Sequence, residues 1–222
     1  MKDFQGHSLY FNCCCGRILR STGTERGRTV DCVAIQTITG QEHILIQLMR
    51  RMINPGIYKE AYIPQRQVEI RRHEETILKT ERLYPGYVFA DTDNTESLFL
   101  ALKGVPKLTR LLSDGAFCTY VLEEKEAEFI RRIGIEREDH IFGISRICTV
   151  LDKPYEKGDR VQIVSGDLKM FEGDIVGYDF HRRKARIRTP VFGGKEILVG
   201  IELIRPAGIQ RNGGLHENSG DK

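Results

Sequence analysis

The sequence predicts an α+β protein in two parts: an antiparallel-rich sheet with helices packed on it, then a small all-β barrel. Three observations predict it. Stretches of period two and of helical period interleave from Asp31 to Ile133. Short strands split by glycine and Asp crowd together after Pro154. Between them, from Gly134 to Lys153, periodicity weakens and charges thicken, which marks a linker.

In chain order, Val33, Ile35 and Thr37 alternate with Ala34, Gln36 and Ile38, a strand. Thr39-Gly40-Gln41-Glu42 fits a capping box, in which the Thr hydroxyl and the Glu carboxylate satisfy free helix N–H groups. Leu45, Leu48, Met49 and Met52 follow at helical spacing, and Asn54-Pro55-Gly56 stops that helix. Strands are expected over 60–71, with Ala61 and Ile63 and then Val68 and Ile70 alternating, and over 76–82. Another, Tyr87 to Ala90, follows Pro85-Gly86. A leucine-rich helix over 95–103, a strand carrying Leu108, Arg110 and Leu112, and a helix over 123–133 with Ala127, Ile130 and Ile133 inward complete the order β-α-β-β-β-α-β-α. Beyond Pro154, strands are expected at 161–164, 173–177, 185–188 and 197–199. The tail, 206–222, is polar and glycine-rich and reads as disordered. Residues 1–29 have neither period. Glu25-Arg26-Gly27 is encodable by a purine-rich run of the ribosome-binding kind and Val30 by a GTG start, so 1–29 are expected to be an unstructured leader or a mis-assigned start.

Composition removes several functions. Lys+Arg (34) and Asp+Glu (31) nearly cancel, so any attraction to nucleic acid must come from local patches. No apolar run approaches the roughly 18 residues of a membrane span, and Arg17 and Arg20 interrupt the start, so a cytoplasmic protein without a membrane partner is expected. Cys13, Cys14 and Cys15 are contiguous; Cys32, Cys118 and Cys148 are isolated, without C-x-x-C or histidines at zinc spacing. They read as reduced, small apolar residues. His7, His43, His73, His140, His181 and His216 are scattered, with no nucleophile–base spacing. The expectation is no metal, no cofactor and no enzyme activity.

Two motifs then carry a resemblance. Lys157-Gly158-Asp159-Arg160-Val161 through Gly166, then Phe171-Glu172-Gly173-Asp174-Ile175-Val176, resembles the KOW motif. Gly158 and Gly166 would permit tight turns, Val161 and Ile163 would face the core, and Gly173 would leave room at a bend. Upstream, Leu83-Tyr84-Pro85-Gly86-Tyr87-Val88-Phe89 looks like a signature of the NusG N-terminal domain; Gly104-Val105-Pro106 and the closing segment Ile197 to Ile204 fit as well. The chain thus resembles the NusG family of transcription elongation factors from about Val30 to Arg205, and within it the specialised antiterminator paralogs of the LoaP kind. The resemblance implies a NusG-type N-terminal α/β sandwich over 30–133, a linker over 134–153 and an SH3-like KOW barrel over 154–205.

It also implies a monomer that docks on the clamp helices of RNA polymerase through an apolar groove including Leu83, Tyr84 and Tyr87. Thr95, Glu96 and Ser97 would touch the opposite side of the cleft. Phe171 and Phe192 would face a barrel partner such as a ribosomal protein or nascent RNA. On periodicity alone Tyr84 and Tyr87 also fit a core strand, and Arg50-Arg51 and Arg71-Arg72 read as solvated faces. His181, Arg182, Arg183, Lys184, Arg186 and Arg188 surround one expected hairpin beside Phe180. They are either a solvated face or a nucleic-acid contact. Two departures stand out: Cys32-Val33 replaces the family's aromatic pair, and Asp167-Leu168 replaces its Pro-Phe. A KOW-containing, ribosome-associated RNA-binding protein is the alternative reading.

Overall fold

Strand β1 (Asp31–Gln36) is flanked in the first unit by β5 (Tyr87–Thr92) and β6 (Thr119–Val121), and β2 (Glu60–Tyr62) adds to β5, giving the order β2-β5-β1-β6. All three pairings are antiparallel, with Val33 opposite Ala90, Ile35 opposite Val88, and Ala34 opposite Phe89. Alternation therefore divides the sheet cleanly. Val33, Ile35, Val88 and Ala90 face α1 (Glu42–Met52) and α2 (Thr95–Leu102), which bury Leu45, Ile46, Met49, Leu98 and Leu102 against them. A fully buried side chain of this kind stabilises by about 1.5–3 kcal/mol, so this face organises the unit. Helix α3 (Glu124–Arg132) buries Ala127, Phe129 and Ile130.

The computed structural model describes residues 30–72, 75–106, 119–149 and 161–204. The expected leader (1–29), the strand at Leu108–Leu112, Lys157 to Arg160 of the KOW-like motif and the tail (206–222) lie outside the described residues. Among the described residues, no helix is long and apolar enough to cross a membrane.

The expected strand over 60–71 is two strands. Pro64 has no N–H to give a ladder, and the chain leaves the first sheet there, while the Pro64 carbonyl accepts the N–H of Leu83 at 2.9 Å. Beyond it β3 (Gln65–Arg72) and β4 (Glu75–Arg82) form a three-stranded sheet with β7 (Ile141–Phe142), in the order β4-β3-β7. Residues 66–81 cluster with the second compact unit, which also takes Arg132 onward, and not with the first. The second compact unit resumes at Arg132, and the first unit is not continuous in sequence.

The second unit is β-rich. Its main sheet runs β10 (Ile175–Asp179), β11 (Lys184–Arg188), β12 (Glu196–Leu203), β8 (Ser145–Thr149), β9 (Val161–Ser165). Only β12–β8 is parallel; the other three pairings are antiparallel. The expected linker is corrected by β7 and β8, which fall inside 134–153. Ile147 is fully buried and Ser145 Oγ accepts the N–H of Leu168 at 2.9 Å, so this stretch is part of the core sheet. Gly166 is required here: its φ is +96°, and a Cβ would stand 2.7 Å from the Ser145 Cα. Gly173, expected to relieve crowding, has open space around it.

Candidate functional site

In the first unit the Tyr84-Pro85-Gly86-Tyr87 segment is a tight turn built by its sequence. Proline presets the second position and Gly86 takes φ +84°, the type II pattern, closed by Tyr87 N–H to the Tyr84 carbonyl at 3.2 Å. Three further contacts pin the turn. Gly86 donates its N–H to Glu42 Oε1 at 2.8 Å and accepts the N–H of Thr37 at 2.8 Å. Arg82 Nε lies 3.0 Å from Glu42 Oε2. The Glu42 carboxylate is buried, which pushes its pKa up. Hydrogen bonds from the N–H groups of Gly86, Glu42 itself and Gly40, together with Arg82, outweigh that and hold it below the usual carboxylate value. The carboxylate half of the expected capping box is therefore redirected: Glu42 binds Gly86 in place of the Thr39 N–H. The hydroxyl half is not made: Gln41 is the N-cap residue and no side chain caps it.

This turn delivers Tyr87 to the start of β5. By alternation Tyr87, Phe89 and Asp91 share the face opposite the helices with Cys32, Ala34, Gln36 and Tyr120. At one end, Arg131 of α3 reaches Asp91 at 3.1 Å and the Val30 carbonyl at 2.7 Å. There the Cys32 thiol is buried 3.6 Å from the Tyr62 hydroxyl, and burial pushes it up to about 12, so it is an inert packing group. At the other end Tyr84 packs on Phe89 with centroids 5.6 Å apart, Tyr87 is half-buried beside exposed Gln36, and Tyr120 is exposed. The Tyr120 hydroxyl donates to Glu126 Oε2 at 2.9 Å, and burial and that carboxylate push it up to about 12.

Of the expected groove residues, Leu83 and Tyr84 are therefore buried as the floor of the turn, and Tyr87 is the one at the surface. Phe89 was readable from the alternation of β5, whereas Tyr120 lies on a strand too short to show a period. Thr95, Glu96 and Ser97 form the first turn of α2, capped by Asn94, whose Oδ1 accepts the Ser97 N–H at 2.9 Å; Glu96 is exposed, Thr95 and Ser97 half-buried.

In the second unit the two expected aromatics part company. Phe171 is fully buried, 5.1 Å from Phe142 and 4.7 Å beneath the Arg132 guanidinium. The expectation that it faces a partner is corrected, because β7 supplies an aromatic neighbour that a linker would not. Asp167 belongs to the same arrangement. It is buried, accepts the Gly143 N–H at 2.6 Å and pairs with Arg137 Nη2 at 2.9 Å, so it replaces a proline by anchoring the β7–β8 turn. Phe192 is half-buried in the tight Val191–Gly194 turn with φ 55°, an unfavourable region for an aromatic residue.

The basic hairpin joins β10 to β11. Ala185 and Ile187 point into the core, and Lys184, Arg186 and Arg188 line the opposite face, as alternation predicts. Tyr178 is registered opposite Ala185 and packs 5.6 Å from Phe180. Tyr178 is thus on the other side of the sheet from the cation row. Arg186 lies 3.7 Å from Glu196, Arg182 lies 3.9 Å from Asp179, and Arg183 is paired with Glu69 of β3. His181 and Arg188 are exposed and Lys184 is half-buried. Among the described residues no three His, Cys, Asp or Glu side chains converge on a metal position.

The family model described as "Transcription termination factor nusG" matches residues 33–139, the stretch that holds the pinned turn and the aromatic face. That segment is similar to the NusG family. Relatives extend the likeness past it. The "Transcription termination/antitermination protein NusG" of Helicobacter pylori is 22% identical over 169 residues, covering 74% of this chain and 90% of the relative. That of Neisseria meningitidis is 24% identical over 168 residues, covering 73% and 86%. A solved structure titled "Domain interaction in Thermotoga maritima NusG" aligns with a TM-score of 0.45 at 19% identity, over 78% of this chain and 96% of that one. The ribosome-associated alternative finds no support among these NusG relatives.

Proposed function

We propose that this chain is a NusG-like transcription termination/antitermination factor. Its first unit docks on the clamp helices of RNA polymerase, and its second unit engages nascent RNA or a protein partner such as a ribosomal protein. The observation that carries the reading is the alignment with NusG proteins across both units, 169 residues and 90% of the relative's length. Within it, the docking surface is the open end of the aromatic face. Tyr87 is the anchor, held by the Pro-Gly turn over a floor of Leu83, Tyr84 and Phe89, and Thr95, Glu96 and Ser97 form a separate polar contact. On the second unit Phe192 is the partner contact and the row Lys184, Arg186 and Arg188 follows a phosphate backbone. The finer reading is a specialised antiterminator paralog of the LoaP kind; Cys32-Val33 and Asp167-Leu168 depart from the family pattern, and at the second step buried Asp167, paired with Arg137, replaces an apolar residue.

The test is capture of core RNA polymerase by the full chain and by Tyr87→Ala. Loss of a half-buried aromatic anchor costs about 2 kcal/mol or more of binding. Thermal unfolding of both proteins runs in parallel. Undiminished capture by a folded Tyr87→Ala chain sinks the docking assignment.

A further inference from the structure

Arg183 occupies a conformation its side chain does not favour. It closes the β10–β11 turn with φ 52°, a region glycine and asparagine enter with less strain. Its backbone is fixed on both sides: its N–H donates to the Phe180 carbonyl at 3.3 Å and its carbonyl accepts the Ile201 N–H at 3.0 Å. From there the guanidinium reaches out of the sheet to the Glu69 carboxylate of β3. A second clasp lies nearby, where Arg66 of β3 donates to the Leu198 carbonyl and pairs with Glu81 at 3.1 Å.

Gly200 explains how β3 comes so close. A Cβ there would stand 2.5 Å from the Gln67 carbonyl oxygen, so only glycine lets the two backbones touch. Lys184 is registered opposite Gly200 and Arg186 opposite Leu198. The β3–β4 hairpin therefore lies on the face that carries the cation row, with an acid of its own on the neighbouring arginine.

We propose that the Arg183 guanidinium is a phosphodiester-binding site for single-stranded RNA, and that Glu69 is an internal stand-in occupying it until RNA arrives. The inference rests on the reading of the second unit as RNA-binding. A carboxylate and a phosphodiester both offer two acceptor oxygens to the planar fork of a guanidinium. The exchange breaks a partly exposed ion pair and makes another, while RNA binding releases condensed counterions that the internal pair does not. An incoming phosphate also repels the displaced Glu69. RNA binding and opening of the Arg183–Glu69 pair are thus coupled, and the coupling is reciprocal.

The experiment measures binding of a fluorescein-labelled oligouridine to the full chain by anisotropy across a salt series. Glu69→Gln, isosteric but uncharged, should tighten binding about fivefold, the lower end of ordinary coupling. Glu75→Gln removes the same charge from an exposed position of the same hairpin and should change binding by less. Arg183→Gly relieves the φ strain, so the chain should melt no lower than the parent. It should still bind more weakly, with a log–log salt slope flatter by about 0.7, and Glu69→Gln should have no further effect in that background. Equal effects of the two glutamine substitutions, or tightening by Glu69→Gln that persists without Arg183, overturn the proposal alone. No salt-dependent binding by any of these chains overturns both it and the RNA-binding reading beneath it.

Discussion

Glu42 is the residue on which the geometry of the Tyr84–Tyr87 turn depends, and its substitution has a calculable effect. Glu42→Ala leaves the buried Gly86 N–H without an acceptor and Arg82 without its carboxylate. A buried unsatisfied donor costs about 1–3 kcal/mol, and the ion pair with Arg82 lost with it puts the total near about 3 kcal/mol. In a domain of this size that lowers the melting temperature by roughly 10 °C or more. Glu42→Gln keeps an acceptor oxygen for Gly86 and loses the charge, so its cost should be about half as large.

The pH dependence has a definite sign. The folded Glu42 value lies below the ordinary carboxylate value, so its contribution is complete above the unfolded value, about 4.3, and is lost as pH falls through the folded one. Urea titrations of parent and Glu42→Ala at several pH values between neutrality and strong acid should converge toward the acid end. A Glu42→Ala chain within about 0.5 kcal/mol of the parent at neutral pH, or a difference that does not shrink in acid, would refute the reasoning.

Phe171→Ala should cost the second unit about 3–5 kcal/mol by opening a cavity under Arg132, whereas Phe171→Leu should fold and keep full partner binding, as calorimetry and capture assays can check. Arg186→Ala combined with Arg188→Ala should flatten the salt slope of RNA binding by about 1.4, two contacts at about 0.7 each, without altering polymerase capture. Phe192→Gly relieves a positive φ and should leave the melting temperature level or higher while weakening capture of a protein partner.

Elements fixed by near neighbours in sequence were legible. Helices α1, α2 and α3 fall close to their expected spans, and β5 follows its Pro-Gly turn. The outward row Lys184, Arg186 and Arg188 follows from period-two alternation alone, because Ala185 and Ile187 leave only one face to bury. Tyr87 and Tyr84 could not be separated that way. Both are tyrosines flanking the same turn, and only the 5.6 Å packing of Tyr84 on Phe89 decides that it, and not Tyr87, is the buried one.

What escaped the sequence depends on partners far along the chain. Strand β8 has a short, unremarkable pattern, and its identity comes from a parallel pairing of Ser145 with Ile201 and Ile147 with Leu203. Apolar residues sit at odd positions before Pro64 (Ala61, Ile63) and at even positions after it (Val68, Ile70), and what carries β3 away is a new edge at β7, more than sixty residues later in the chain. Phe171 combines both lessons. On its own segment it is an aromatic residue after a methionine, flanked by Glu172, which reads as surface. Its burial requires Phe142 from β7 and Arg132 from the end of α3, so a residue expected to recognise a partner instead holds the second unit together. A side chain's exposure is set by what the rest of the chain brings to it, and a motif that carries an aromatic at one position does not carry its exposure.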